Sequence, residues 1–312
     1  ICLRKAILYD TEGDLQPGAS MDMADLYLRL ADYGKALEYL EQYMRYAESG
    51  KLNISIYRLG KIATGYIRNG RYEMAAKIFE SAYAKDPAGL YDKLADMYQV
   101  TGQQQEARDV LKKWAAHLNI DESALGKLRS RIKKSNAGYS DYYVSLGWTE
   151  LIFGERESAV KAFVSALNFH PNLNGAEGTM CDAVFAFILC GEEKLGKKYA
   201  AKLQDWLRQE QFARKNEYYE QEKGHLQIEV LAAYYTENDQ KLQEMVDRES
   251  KCECCNFCTY AICKEMEAVR ILLMLRRGRK QEARERLDRN LETQPQDEYM
   301  LAIRHMCFGE QS

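Results

Sequence analysis

Five cysteines fall within residues 252–263, as Cys252-Glu253-Cys254-Cys255-Asn256-Phe257-Cys258 and then Cys263. Thiolate sulfur is a soft ligand, and tetrahedral zinc takes four such groups, often from C-x2-C pairs on a turn. Cys252, Cys255 and Cys258 make two overlapping pairs of that spacing, Cys263 offers a fourth sulfur at the start of the next helix, and Cys254 is a spare. One reading is therefore structural zinc on Cys252, Cys255, Cys258 and Cys263. Zinc sites usually draw their two pairs from separated segments, which this run does not, so reduced free thiols in a loop are the competing reading. An iron–sulfur cluster is a third, although the run lacks the Cys-Pro ending of ferredoxin-like sites. The four histidines, His117, His170, His225 and His305, are scattered over helix ends and surface positions, none beside a cysteine or serine in a nucleophile motif. No glycine-rich phosphate loop occurs, and paired acids such as Glu192-Glu193 read as the polar face of a helix. These residues point away from an enzyme, and no cofactor is expected beyond the zinc reading.

The elements that must hold these groups are bounded by composition. At 312 residues the chain is long for one core, so two domains or an elongated repeat are expected. Hydrophobic residues make up 46%, with only 4 prolines, which permits long helices. No apolar run is long enough to cross a membrane. The 44 basic and 47 acidic residues nearly cancel, at net charge -3, so direct binding of nucleic acid by this segment is not expected. Nine cysteines, an odd number, suit a reducing compartment and a cytoplasmic location. The chain opens Ile1-Cys2-Leu3-Arg4, without initiator Met or signal pattern, and reads as the remainder of something longer.

A repeat organises the rest. One unit runs Leu59, Ile62, Ala63, Tyr66, Gly70, Tyr72, Ala75, Phe79, Ala82, Pro87. A second runs Tyr91, Leu94, Ala95, Tyr98, Gly102, Ala107, Leu111, Trp114, and a third Tyr143, Leu146, Gly147, Gly154, Ala159, Phe163, Ala166, Pro171. An earlier copy is Ala24, Tyr27, Tyr33, Ala36, Leu40, Tyr43, and a late one Ala268, Gly278, Ala283, Leu287, Pro295. Small residues belong where two helices cross, large ones between neighbouring pairs, and glycine just past the first helix, where a left-handed residue ends it. The pattern resembles the tetratricopeptide repeat (TPR). That resemblance implies an all-α fold, a right-handed TPR-like superhelix, or α-solenoid, of about six or seven helix pairs. The expected segments are TPR-like repeats over 1–116, a helical insert over 117–139, increasingly degenerate repeats over 140–251, a Cys-rich loop over 252–263, and a last repeat with a capping helix over 264–312. In the insert Lys127, Arg129, Arg131, Lys133 and Lys134 wrap a helix rather than striping it, which suits a solvated linker.

The resemblance also implies a concave face lined by first helices. Its inward positions map onto Asp25, Leu28 and Arg29, then Tyr57, Thr64, Ile67 and Arg68, then Asp92, Asp96 and Gln99, and last Trp148, Leu151 and Ile152. Co-chaperones of the family clamp a peptide carboxylate with Lys, Asn and Arg; here Gly60, Thr64, Asp92 and Asp96 take those places, which disfavours that use. The mixed lining suits a protein or peptide held by a few anchors. The expected function is a peptide- or protein-binding scaffold in the regulatory or assembly part of a larger protein, similar to the effector half of bacterial helix-turn-helix/TPR regulators. The alternatives are a self-associating scaffold, as a homodimer, and a metal-responsive domain built on the cysteine cluster.

Overall fold

A computed structural model describes residues 16–48, 55–83, 90–120, 137–169, 177–214, 226–249 and 264–309, apart from Ala31, Gln294 and Gln296. Among these the fold is all-α: fifteen α-helices and no strand. They are α1 (Gln16–Arg29), α2 (Tyr33–Glu48), α3 (Ile56–Arg68), α4 (Tyr72–Tyr83), α5 (Tyr91–Val100), α6 (Gln104–His117), α7 (Ala137–Ile152), α8 (Arg156–Asn168), α9 (Glu177–Cys190), α10 (Glu193–Arg214), α11 (Leu226–Ala233), α12 (Asp239–Glu249), α13 (Lys264–Arg276), α14 (Lys280–Thr293) and α15 (Glu298–Ile303). A π-turn at Arg304–Phe308 follows α15. Among the described residues the helices follow one another in the order of seven pairs and a terminal helix, the all-α arrangement expected.

The turns inside the pairs explain the glycine spacing. Gly102 has φ +76°, which a side chain disfavours. Its N–H donates to the Gln99 carbonyl at 3.2 Å while Gln103 N–H reaches back to the Tyr98 carbonyl at 2.8 Å, closing the end of α5. The same paired bonds recur at Gly70, Gly154, Gly191 and Gly278, all at positive φ. The expected small residues Ala63, Ala75, Ala95, Ala107 and Ala159 are fully buried, and Tyr66, Phe79, Tyr98 and Phe163 are buried as packing bodies.

The described residues fall into two compact units, one up to Met97 and one from Tyr98 onward. In the first, α1 packs on α2, α2 on α3 and α3 on α4. Tyr27 stacks on Tyr39 at 5.7 Å, and Asn69 Nδ2 donates to the Tyr33 carbonyl at 2.8 Å, tying the second pair to the first. In the second unit the outer helices α8, α10, α12 and α14 alternate with α7, α9, α11 and α13. Each of these four packs on the next, and α15 packs on both α13 and α7, so the first helices form a closed circuit. A single apolar core runs from Leu151 to Ile303.

Candidate functional site

The candidate groove residues on the first helices differ in what surrounds them. Arg29, Tyr57, Thr64 and Arg68 lie on α1 and α3, with side chains outside the described residues. Asp92 and Asp96 sit one turn apart on α5. Asp92 is half-buried and pairs with Lys93 Nζ at 3.1 Å; Asp96 is exposed. The two carboxylates share one side of this helix with the exposed Lys93.

Gln99 does not face solvent with them. It is only 3% exposed, and its Nε2 donates to Thr149 Oγ1 at 2.6 Å and to the Ser145 carbonyl at 3.1 Å. Thr149 Oγ1 in turn donates to the same carbonyl at 2.8 Å. A buried amide held in this way is occupied internally, because leaving either group unpaired would be costly. The expectation that Gln99 lines an open groove is therefore corrected: it fastens α5 to α7. Beside it Arg108 of α6 holds the almost buried Glu150 of α7 through two hydrogen bonds, 2.9 and 3.3 Å.

Trp148, on α7, is half-buried and already has company. Its ring meets Phe163 of α8 at 6.3 Å, Phe185 of α9 at 5.9 Å and Tyr299 of α15 at 4.8 Å. Tyr299 also meets Phe185 edge-on at 5.0 Å. The concave position that the sequence assigns to a guest side chain is filled by the chain's own terminal helix. Leu151 and Ile152, also expected in the groove, are buried in the core instead, and so is Leu28 of α1. Asp297 caps α15, its Oδ1 accepting from the N–H of Tyr299 at 2.9 Å and of Met300 at 3.2 Å. Tyr299, Met300, Leu301, Ala302 and Ile303 are all buried. Sequence reasoning placed a capping helix for the stack within 264–312 and missed Tyr299 and Phe185. The signal was present: five apolar residues in succession cover every side of a helix, and a helix apolar all round is enclosed rather than laid on an end.

The proposed zinc ligands Cys252, Cys255, Cys258 and Cys263 lie outside the described residues. Among the described residues no group of three His, Cys, Asp or Glu is placed to hold a metal. The described cysteines are free thiols at Cys181, Cys190 and Cys307. Burial pushes Cys190 up to about 12 and Cys307 up to about 11, against the partial pull of the Arg156 guanidinium. Both are protonated at neutral pH and poor nucleophiles. Of the histidines, His117 is exposed at the end of α6, His305 is buried in the π-turn rather than at the surface, and His170 and His225 lie outside the described residues. No described helix is long and apolar enough to cross a membrane.

Comparison with known proteins agrees with this architecture. The tetratricopeptide repeat family model matches residues 18–49, which contain most of α1 and all of α2. A search of curated proteins gives no match. The first helix pair is thus matched as a tetratricopeptide repeat, and later pairs are similar to it in their small crossing residues, five of them adding a glycine turn.

Proposed function

We propose that the chain is a non-enzymatic scaffold that binds a protein or an extended peptide, as the regulatory or assembly part of a larger protein. The observation that carries this reading is on the first helix α5, where the half-buried Asp92, paired with Lys93, and the exposed Asp96 stand one turn apart. Arrays of helix pairs present such faces to polypeptides, and carboxylates there favour a basic partner and raise its rate of encounter. The flanking groove positions Arg29, Tyr57, Thr64 and Arg68 belong to the same expected surface. The test is selection from a displayed peptide library on the intact chain. Recovered peptides should be rich in Lys and Arg, and the double variant Asp92→Lys/Asp96→Lys should bind them at least tenfold more weakly with unchanged helical circular dichroism. A library that yields no binder, or binders indifferent to the charge reversal, overturns the reading.

A further inference from the structure

On α10, Lys194, Lys198 and Lys202 recur at every fourth residue. That spacing puts them on one ridge of the helix, about 6 Å apart along its axis. Lys194 and Lys198 are exposed and Lys202 is half-buried. Among the described residues no carboxylate pairs with any of the three, whereas Glu193 and Asp205 of the same helix are already taken up by Lys197 and Arg208. Two of the three lysines are also held in place. Tyr199 is buried against Phe187 of α9, and the Lys198 and Lys202 ammonium groups stand 5.1 and 5.0 Å from its ring. The ring fixes both cations without neutralising either, and at that range salt screens only part of their mutual repulsion. A counter-charge laid between them relieves it. Four residues beyond Lys202 the ridge continues to Trp206, half-buried against the core.

We propose that this ridge of α10 docks a helix of another protein, one that carries carboxylates on three successive turns and an apolar residue on the fourth. A helix matches the ridge because its own carboxylates at i, i+4 and i+8 repeat at the same spacing. Trp206 then meets the apolar residue, as an aromatic of the kind enriched in interfaces. Nucleic acid and anionic lipid fit less well: both are gripped through many basic contacts at once, and the chain carries net charge -3. Because α10 is the second helix of its pair, this surface is separate from the first helices and from Asp92 and Asp96, and does not rest on them.

The probe is a labelled synthetic helical peptide with Glu at i, i+4 and i+8 and Leu at i+12. The full chain should bind it at least tenfold more tightly than a peptide of the same composition whose Glu residues are spread round the helix. The triple variant Lys194→Glu/Lys198→Glu/Lys202→Glu should lose at least tenfold in affinity with unchanged helical circular dichroism, and Asp92→Asn/Asp96→Asn should bind as the wild type does. Equal binding of the two peptides would mean attraction to net charge alone and overturns the proposal, and so does full binding by the triple variant. Lysine-dependent capture of single-stranded RNA or of phosphatidylserine vesicles, without capture of the ordered peptide, gives the ridge to another polyanion and overturns it as well. If library peptides depend on Asp92 and Asp96 while the ordered peptide is ignored, only this inference falls. If the ordered peptide binds and the library yields nothing, only the reading of α5 falls.

Discussion

Glu267 on α13 is nearly fully buried, and a lone carboxylate there would be expensive. It is held by Arg286 of α14 through two bonds, 2.7 and 2.8 Å, and by Arg270, whose Nη2 also donates to the Val246 carbonyl of α12 at 3.0 Å. Burial on its own would raise the carboxyl's affinity for protons. The hydrogen bonds from Arg286 and Arg270 outweigh it and bring Glu267 below its usual 4.5. A depressed carboxylate stabilises the fold above its unfolded value, and that contribution is lost as pH falls through the folded one. Glu267→Gln keeps the shape but leaves two guanidinium groups facing a neutral amide, at a cost of roughly 3 kcal/mol. Urea unfolding at neutral pH should show the lower midpoint. Below about pH 4.5 the gap between variant and wild type should narrow, and a constant gap would show that the ion triad is not its source. Nothing in the sequence pairs Glu267 with Arg286, because the two are brought together only by the hairpin of α13 and α14. Gln99 was misread for the same reason: its position on the helix was legible, its partners on α7 were not.

At the scale of elements the reading from sequence was far better, since helix crossing leaves a local mark. Where α7 crosses α8, a Cβ on Gly147 would lie 2.6 Å from the ring of Phe163. The small residue and the large one were both visible at fixed spacing, as were the turn glycines. Gly147→Ala should force the Phe163 ring out of its place and cost about 1–3 kcal/mol, measured as a shift in denaturation midpoint with the slope unchanged. A neutral result would mean that the two helices are not in close contact at this crossing. The degenerate pairs were less legible. In α9 the run Ala183–Phe187 is buried throughout, and an element covered on every side carries no periodic stripe from which a face can be read. Gly196 on α10 is a further close approach, where an added Cβ would collide with the Tyr235 hydroxyl. Nothing in the local sequence points to the tyrosine it accommodates.

For the whole array the question is whether stability passes only between neighbours. An open solenoid behaves as a chain of local interfaces, so damage at one end fades along the sequence. In the second unit α15 joins α13 to α7, which lies about half the chain away from it in sequence and next to it in space. Sequence could not have shown this, because closure is a long-range contact with no repeat spacing of its own; only the unbroken apolar run Tyr299–Ile303 pointed to it. Amide hydrogen exchange separates the two cases. Tyr299→Ala removes a ring packed against both Trp148 and Phe185, a loss of roughly 3 kcal/mol that both ends of the circuit should feel. In the closed arrangement, amides of α7 should lose protection as strongly as those of α13, and more than those of the outer helix α12, which sits closer to α15 in sequence. In an open array the order reverses, with α14 and α13 loosened most and α7 unchanged. Protection that holds in α7 while it falls in α13 would mean that the terminal helix caps the last pair alone.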